Sequence, residues 1–164
     1  TGFNMILGFN ILEEINTLDA SLDTFLFNVS SNLRNQGYFI CIMLDGEKVE
    51  TLFNATNKLS ILSGENMTWI IEKEESESVA INVYYNYYNT LRKNYIIKPK
   101  ELINKCSELG LKIIDSKSLD EDLSEITSSY KKNIELITND KEAKGWINLQ
   151  RYFIFQKSDN NHDN

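Results

Sequence analysis

The sequence predicts an α/β fold: the second half of a doubly wound sheet, with an antiparallel last strand and an inserted β-hairpin. Three observations predict it. Two apolar runs of strand length, FNMILGF at Phe3–Phe9 and YFICIML at Tyr38–Leu44, bracket a helically spaced stretch. That is the pattern of parallel strands covered on both faces and joined by a crossover helix. Later the order runs helix, strand, helix, strand, closing on Tyr152–Gln156.

The elements follow in order. Phe3–Phe9 is the first strand. Leu18, Leu22, Phe25, Leu26, Val29 and Leu33 recur at helical spacing, with Thr17 as the cap and Asp19 and Asp23 favouring the positive end of the helix dipole. Asn35-Gln36-Gly37 ends that helix, and Tyr38–Leu44 is the second strand. Asp45-Gly46 makes a turn, and Val49, Leu52, Phe53 and Thr56 mark a short helix.

Residues 57–66 are polar and read as a loop. Met67–Lys73 and Val79–Tyr88 read as strands on either side of the acidic turn Glu74-Glu75-Ser76-Glu77. Pro99 suits a first helical turn and Gly110 a helix end, with Leu102, Ile103, Cys106 and Leu109 on one face. Leu111–Asp115 is a strand. Ser118 and Glu121 form a capping box for a helix carrying Leu119, Leu123, Ile126, Tyr130, Ile134 and Ile137. One domain is expected over residues 1–157, with an insertion over about 47–97 and a disordered tail over 158–164 that carries the lone His162.

Composition narrows the function classes. Of the 164 residues 41% are hydrophobic, enough for a core. A net charge of −7 argues against a general nucleic-acid coat, although a local basic site is compatible with it. Cys41 and Cys106 both fall in apolar patterns and read as buried, reduced thiols, which with the absence of a signal-peptide pattern points to the cytoplasm. No apolar stretch is long enough to span a bilayer, so no membrane partner is expected. The sequence holds neither a Gly-x-Gly-x-x-Gly nor a Walker motif, no metal-ligand cluster, and no histidine placed for Ser/His/Asp hydrolysis.

Three places remain as candidate sites. The first is Gly8-Phe9-Asn10 running on to Glu13-Glu14, because ligands of open α/β sheets bind beyond the carboxyl ends of strands. Here the two glutamates are either ligands for an amine or hydroxyl, or solvated acids leading into a helix. The second is Tyr84-Tyr85-Asn86-Tyr87-Tyr88 followed by Arg92, Lys93, Lys98 and Lys100, where rings beside cations suit a stacked base or an RNA backbone. A half-buried strand with tyrosines at its rim gives the same pattern. The third, the acidic group Asp120, Glu121, Asp122 and Glu125, reads as solvated helix surface.

Several segments together resemble the cap guanine-N7 methyltransferase domain of large DNA-virus capping enzymes. They are FNMI, NLRNQGYFI, LDGEKVETLF, NYIIKPKELINKCSELGLKIID and YFIFQK, which lie in family order over nearly the whole chain. LDGEKV after a strand, combined with NYIIKPKEL before a helix, is the most specific part. The resemblance implies the C-terminal half of a Rossmann-like methyltransferase sheet, with S-adenosylmethionine as cofactor near Gly8, Phe9 and Asn10. It also implies capped RNA as the partner, held through Glu13, Glu14, Tyr84, Tyr88, Asn94, Tyr95 and Gln150. No side chain is expected to act as a catalytic group, because aligning guanine N7 with the methyl donor supplies the rate.

Departures from the family pattern matter. Glu13-Glu14 stands where the family has a His-Tyr pair, Asn94 where it has a cap-contacting Glu, and Gln150 where a Tyr is common. These favour either an altered pocket or a catalytically decayed subunit that stabilises an active capping enzyme. A small RNA- or protein-binding module using the Tyr84–Tyr88 face is the alternative outside the family. The chain opens at Thr1 directly into an apolar strand, which would be an exposed edge on its own. An upstream segment or a second protein chain is therefore expected to pair with it.

Overall fold

The computed structural model describes residues 2–15, 21–63, 66–74, 80–85, 90–121 and 141–159. β1 (Phe3–Phe9) leads through the short α1 (Leu12–Ile15) and α2 (Ser21–Asn32) to β2 (Leu33–Leu44). Then come α3 (Gly46–Ala55) and four strands, β3 (Lys58–Ser63), β4 (Asn66–Lys73), β5 (Ala80–Tyr85) and β6 (Thr90–Tyr95). The chain continues through α4 (Pro99–Glu108), β7 (Leu111–Ser118), α5 (Lys141–Asn148) and β8 (Gln150–Lys157).

Two sheets result. The first has the order β1-β2-β8-β7, with β1 parallel to β2 and β8 antiparallel to both β2 and β7. The expected parallel pair and reversed last strand are both present. The second is an antiparallel meander, β3-β4-β5-β6. The insertion is thus twice the hairpin expected from sequence. The stretch 57–66, expected as a loop, holds β3, in which Lys58, Ser60 and Ser63 interrupt the apolar residues, and β6 is not anticipated because TLRKNY lacks an apolar alternation.

Alternation along β2 sorts the first sheet into two faces. Phe39, Cys41 and Met43 are fully buried and join Phe153 and Phe155 of β8 with Leu22, Leu26 and Val29 of α2 and Leu102 and Cys106 of α4. The Phe39, Phe153 and Phe155 rings stack at centroid distances of 6.0 Å. A second core joins Leu44 and Val49 to Ile71, Ile81 and Val83 of the meander, with Trp146 of α5 packed against it. The two sheets therefore meet at the carboxyl end of β2.

Helix ends follow local chemistry. Asp45 caps α3, its carboxylate accepting from the Glu47 and Lys48 N–H groups at 3.1 and 3.4 Å. Pro99 opens α4, and Gly110 ends it at φ 75°, where a Cβ would be strained. The first long helix stops at Asn32, earlier than Asn35-Gln36-Gly37, because Leu33 already pairs with Phe3. Thr17, expected as its cap, lies outside the described residues. Ser118, expected as a helix cap, ends β7 and stands immediately before the helical residues 119–121, its hydroxyl binding Lys48, Asp120 and the Gln150 carbonyl. The rest of that expected helix, from Asp122 on, lies outside the described residues. Among the described residues no helix is long and apolar enough to cross a membrane.

Candidate functional site

The loop after β1 turns at Asn10, which adopts φ 51°, a left-handed conformation that asparagine tolerates better than most residues. Its backbone N–H donates to the Ile42 carbonyl at 2.9 Å, holding the turn against β2. Its side-chain oxygen accepts from Gln150 Nε2 at 3.1 Å, tying the end of β1 to the start of β8. Gly8 is buried against Phe39 and Cys41, whereas Phe9 points to the open face and is 56% exposed.

α1 follows at once and carries two glutamates with different fates. Glu13 is 1% exposed, and its Oε1 accepts from the Leu44 N–H at 2.5 Å. Its Oε2 is buried with no hydrogen-bond partner. Burial pushes the Glu13 carboxyl up to about 7, against the opposing pull of the Leu44 N–H. Glu14 turns outward and pairs with Arg92 Nη1 of β6 at 3.2 Å.

Arg92 and Asn94 are two apart on β6 and so share a face. Since Arg92 reaches Glu14, that face is turned toward α1, and α1 packs directly on β6. Asn94 is 1% exposed, and neither its amide nitrogen nor its oxygen has a partner. It pairs in register with Ile81, and Arg92 with Val83. Both residues belong to the core cluster that also contains Leu44, the residue Glu13 holds. The structure thus gathers Asn10, Glu13, Glu14, Asn94 and Gln150 around the carboxyl ends of β1 and β2. Sequence alone had spread them over three separate segments.

Buried polar atoms are nearly always hydrogen-bonded, so an orphaned carboxylate oxygen and a wholly orphaned carboxamide in one region call for an explanation. They supply both donor and acceptor capacity in an apolar setting, which suits a planar, amide-like edge.

The remaining candidates fall elsewhere. Tyr95 is half-buried, with Lys93 Nζ 5.7 Å from its ring centroid. Tyr84 is half-buried on β5, opposite Ile70 and Leu91. Tyr87 and Tyr88 lie outside the described residues. The basic run is partly neutralised: Lys98 pairs with Glu50 at 2.9 Å, and Arg92 with Glu14.

One polar cluster escaped sequence reasoning. Asp45, 1% exposed, accepts from Arg151 Nε at 2.7 Å. Nearby, Lys48 Nζ binds Ser118, the Asn148 carbonyl at 2.8 Å and Asp120 at 3.4 Å. Asp120 is held below its ordinary range: burial opposes this, and the Ser118 hydroxyl and Lys48 ammonium outweigh it. The cluster lines a cleft of about 550 Å³ between α3, α5 and the start of β8. Asp120, expected as solvated helix surface, lies in the helical residues 119–121 and pairs with Lys48 while its side chain stays 36% exposed. No spacing in the sequence signals this, because its members lie as many as 106 positions apart.

No protein-family model matches the chain, and no curated protein sequence matches it significantly. Solved structures do. An S-adenosylmethionine-dependent methyltransferase from Clostridium acetobutylicum ATCC 824 superposes with a TM-score of 0.58 at 12% identity, covering 96% of this chain and 59% of that one. The CcbJ methyltransferase from Streptomyces caelestis gives 0.59 at 10% identity, covering 96% and 62%. An S-adenosylmethionine-dependent methyltransferase from Mesorhizobium loti gives 0.56 at 10% identity, covering 95% and 62%. At such identities the likeness concerns the fold. The chain has the α/β fold of class I S-adenosylmethionine-dependent methyltransferases, and it spans about three-fifths of the length of those it is similar to.

Proposed function

We propose that the chain is the C-terminal part of an S-adenosylmethionine-dependent methyltransferase domain that acts on the guanine of capped RNA, in viral messenger-RNA capping. The observation that carries this reading is the orphaned pair Glu13 and Asn94 at the carboxyl ends of β1 and β2. Guanine offers an acceptor at O6 and a donor at its exocyclic amine, which a carboxamide and a carboxyl group can meet once the packing that covers Glu13 and Asn94 opens. The methyltransferase fold supports the reaction class, and the sequence resemblance to capping enzymes supports the substrate.

The cofactor supplies the methyl group when bound. In this reading Gly8, Phe9 and Asn10 flank it. The glycine-rich loop that grips such cofactors in doubly wound folds is not in this sequence, so these residues fit one side of the site only. The chain's own contribution is positioning: Glu13 and Asn94 fix the base, and the Asn10–Gln150 bond holds the loop after β1 against the start of β8.

A titration with a guanosine cap analogue tests this. Binding is expected to exceed that of an adenosine analogue. Glu13→Leu and Asn94→Leu are each expected to weaken it at least tenfold, with folding checked by circular dichroism. Equal affinity for both analogues, or no loss in either variant, ends the proposal.

A second reading, a catalytically decayed subunit supporting an active capping enzyme, draws on a different observation. Glu14 and Gln150, two of the expected substrate contacts, are engaged in internal bonds to Arg92 and Asn10. Labelled methyl transfer to capped RNA separates the two. Incorporation supports the enzyme, and stimulation of a partner enzyme without incorporation supports the subunit.

A further inference from the structure

The cleft between α3, α5 and the start of β8 contains none of the residues assigned to cap or cofactor. Most of its charged groups are occupied by one another. Asp45 accepts from the Glu47 and Lys48 N–H groups through Oδ1 and from Arg151 Nε through Oδ2. Lys48 Nζ donates to Ser118, Asp120 and the Asn148 carbonyl, which uses all three of its hydrogens. Two polar groups on the lining are left over. Asn148 Oδ1 is buried with no hydrogen-bond partner. The terminal nitrogens of Arg151 bond no described residue, because only its Nε is engaged. These two residues lie three positions apart, where α5 gives way to β8. Leu52 and Leu149 add apolar lining, and about 550 Å³ is room for a small heterocycle.

We propose that this cleft binds a uracil-type base, Arg151 donating to a ring carbonyl while Asn148 Oδ1 accepts the N3–H beside it. Charge favours an uncharged ligand. Asp45, Glu47 and Asp120 outnumber Lys48 and Arg151 on the lining, which disfavours a free phosphate or carboxylate. An ammonium group, in turn, would meet the positive fork of Arg151. The leftover groups therefore call for one N–H donor with a carbonyl next to it. Uracil sets a single N–H between two carbonyls on one edge, and its ring faces suit Leu52 and Leu149. Cytosine carries an acceptor at N3, and guanine has two adjacent donors where the lining offers one orphaned acceptor. A trans peptide unit points its C=O and N–H in opposite directions, so it cannot present both along one edge. The base can come from a free nucleoside or from a uridine within RNA.

The inference rests on the cleft and not on cap binding. Uridine, 3-methyluridine and cytidine are each titrated into the full chain by calorimetry, without cap analogue or methyl donor. Uridine is expected to bind about tenfold tighter than the other two, since both lack the N3–H and would leave Asn148 Oδ1 unpaired. Asn148→Ala removes no side-chain hydrogen bond among the described residues, and it is expected to erase that preference. Arg151→Lys keeps a positive charge beside Asp45 but loses the planar fork, and is expected to weaken uridine about tenfold. Circular dichroism checks that both variants fold. Tighter binding of hexauridylate than of uridine supports the site as an RNA contact, and equal binding supports it as a nucleoside site. Equal affinity for the three nucleosides, no loss in Asn148→Ala, or binding of a triglycine peptide without uridine overturns the proposal. A failed cap titration leaves this result standing, and the converse holds.

Discussion

Glu13 reaches across from α1 to accept the backbone N–H of Leu44, the last residue of β2, and does so with a carboxyl group that is 1% exposed. One bond thus closes the end of the first sheet and leaves the second carboxylate oxygen buried and unpaired.

That arrangement has a pH signature. Glu13 is pushed up from 4.5 to about 7 by burial, so between those values the unfolded state loses a proton that the native state keeps. Stability should therefore fall as pH rises through this window, by about 3 kcal/mol in all, and level off above pH 7. Glu13→Gln keeps an acceptor for Leu44 and carries no charge. Urea unfolding at pH 5 and pH 8 should show the variant losing less stability than wild type between the two. Equal losses would refute the assignment.

Gly46, the first residue of α3, packs closely against the backbone that follows β6. A Cβ there would stand 2.6 Å from the Ile97 carbonyl oxygen and 2.4 Å from Ile96 Cγ2. The carbonyl is main chain and cannot rotate away, and the Gly46 N–H donates to it at 3.2 Å. Gly46→Ala should cost about 2 kcal/mol, seen as a lower urea midpoint with unchanged slope.

Arg151 neutralises a carboxylate that has almost no access to solvent. Arg151→Met strands the Asp45 charge and should cost about 3 kcal/mol at pH 7. Adding Asp45→Asn should recover part of that loss, because the uncompensated charge disappears. A double-mutant cycle with no coupling would show that the pair is not formed.

Cys41 and Cys106 should resist modification. Burial is the main cause raising both, Cys106 to about 12 and Cys41 well above its ordinary value. At pH 8 a thiol reagent should label neither in the folded chain and both in urea. Rapid labelling of the native protein would place a thiol at the surface.

By itself the sequence determined the parallel core and its ends. Apolar runs such as Phe3–Phe9 and Tyr38–Leu44 set the strand positions, although Phe3, Met5, Leu7 and Phe9 stay 51–61% exposed on one face of β1, and Pro99 and Gly110 fix helix ends through backbone geometry that acts within a few residues. The reversed last strand was legible from the order of the elements, which matches the second half of a doubly wound sheet. The meander was legible only in part. KLSILS alternates over only four residues and TLRKNY not at all, and they become strands because β4 and β5 supply the hydrogen-bonding partners.

Only the tertiary structure decided which polar residues meet. Glu13 and Glu14 are neighbours in sequence, yet a turn of helix sends one into the core and the other to Arg92. Asn94 is buried because α1 packs on β6, and Asp45 finds Arg151 because β8 returns beside β2. Such pairings join residues 31 to 140 positions apart. Local propensity acts over a few residues and holds no information at that range. Desolvation, which gives Glu13 its raised pKa and leaves Asn94 without a partner, is a property of the packed core alone.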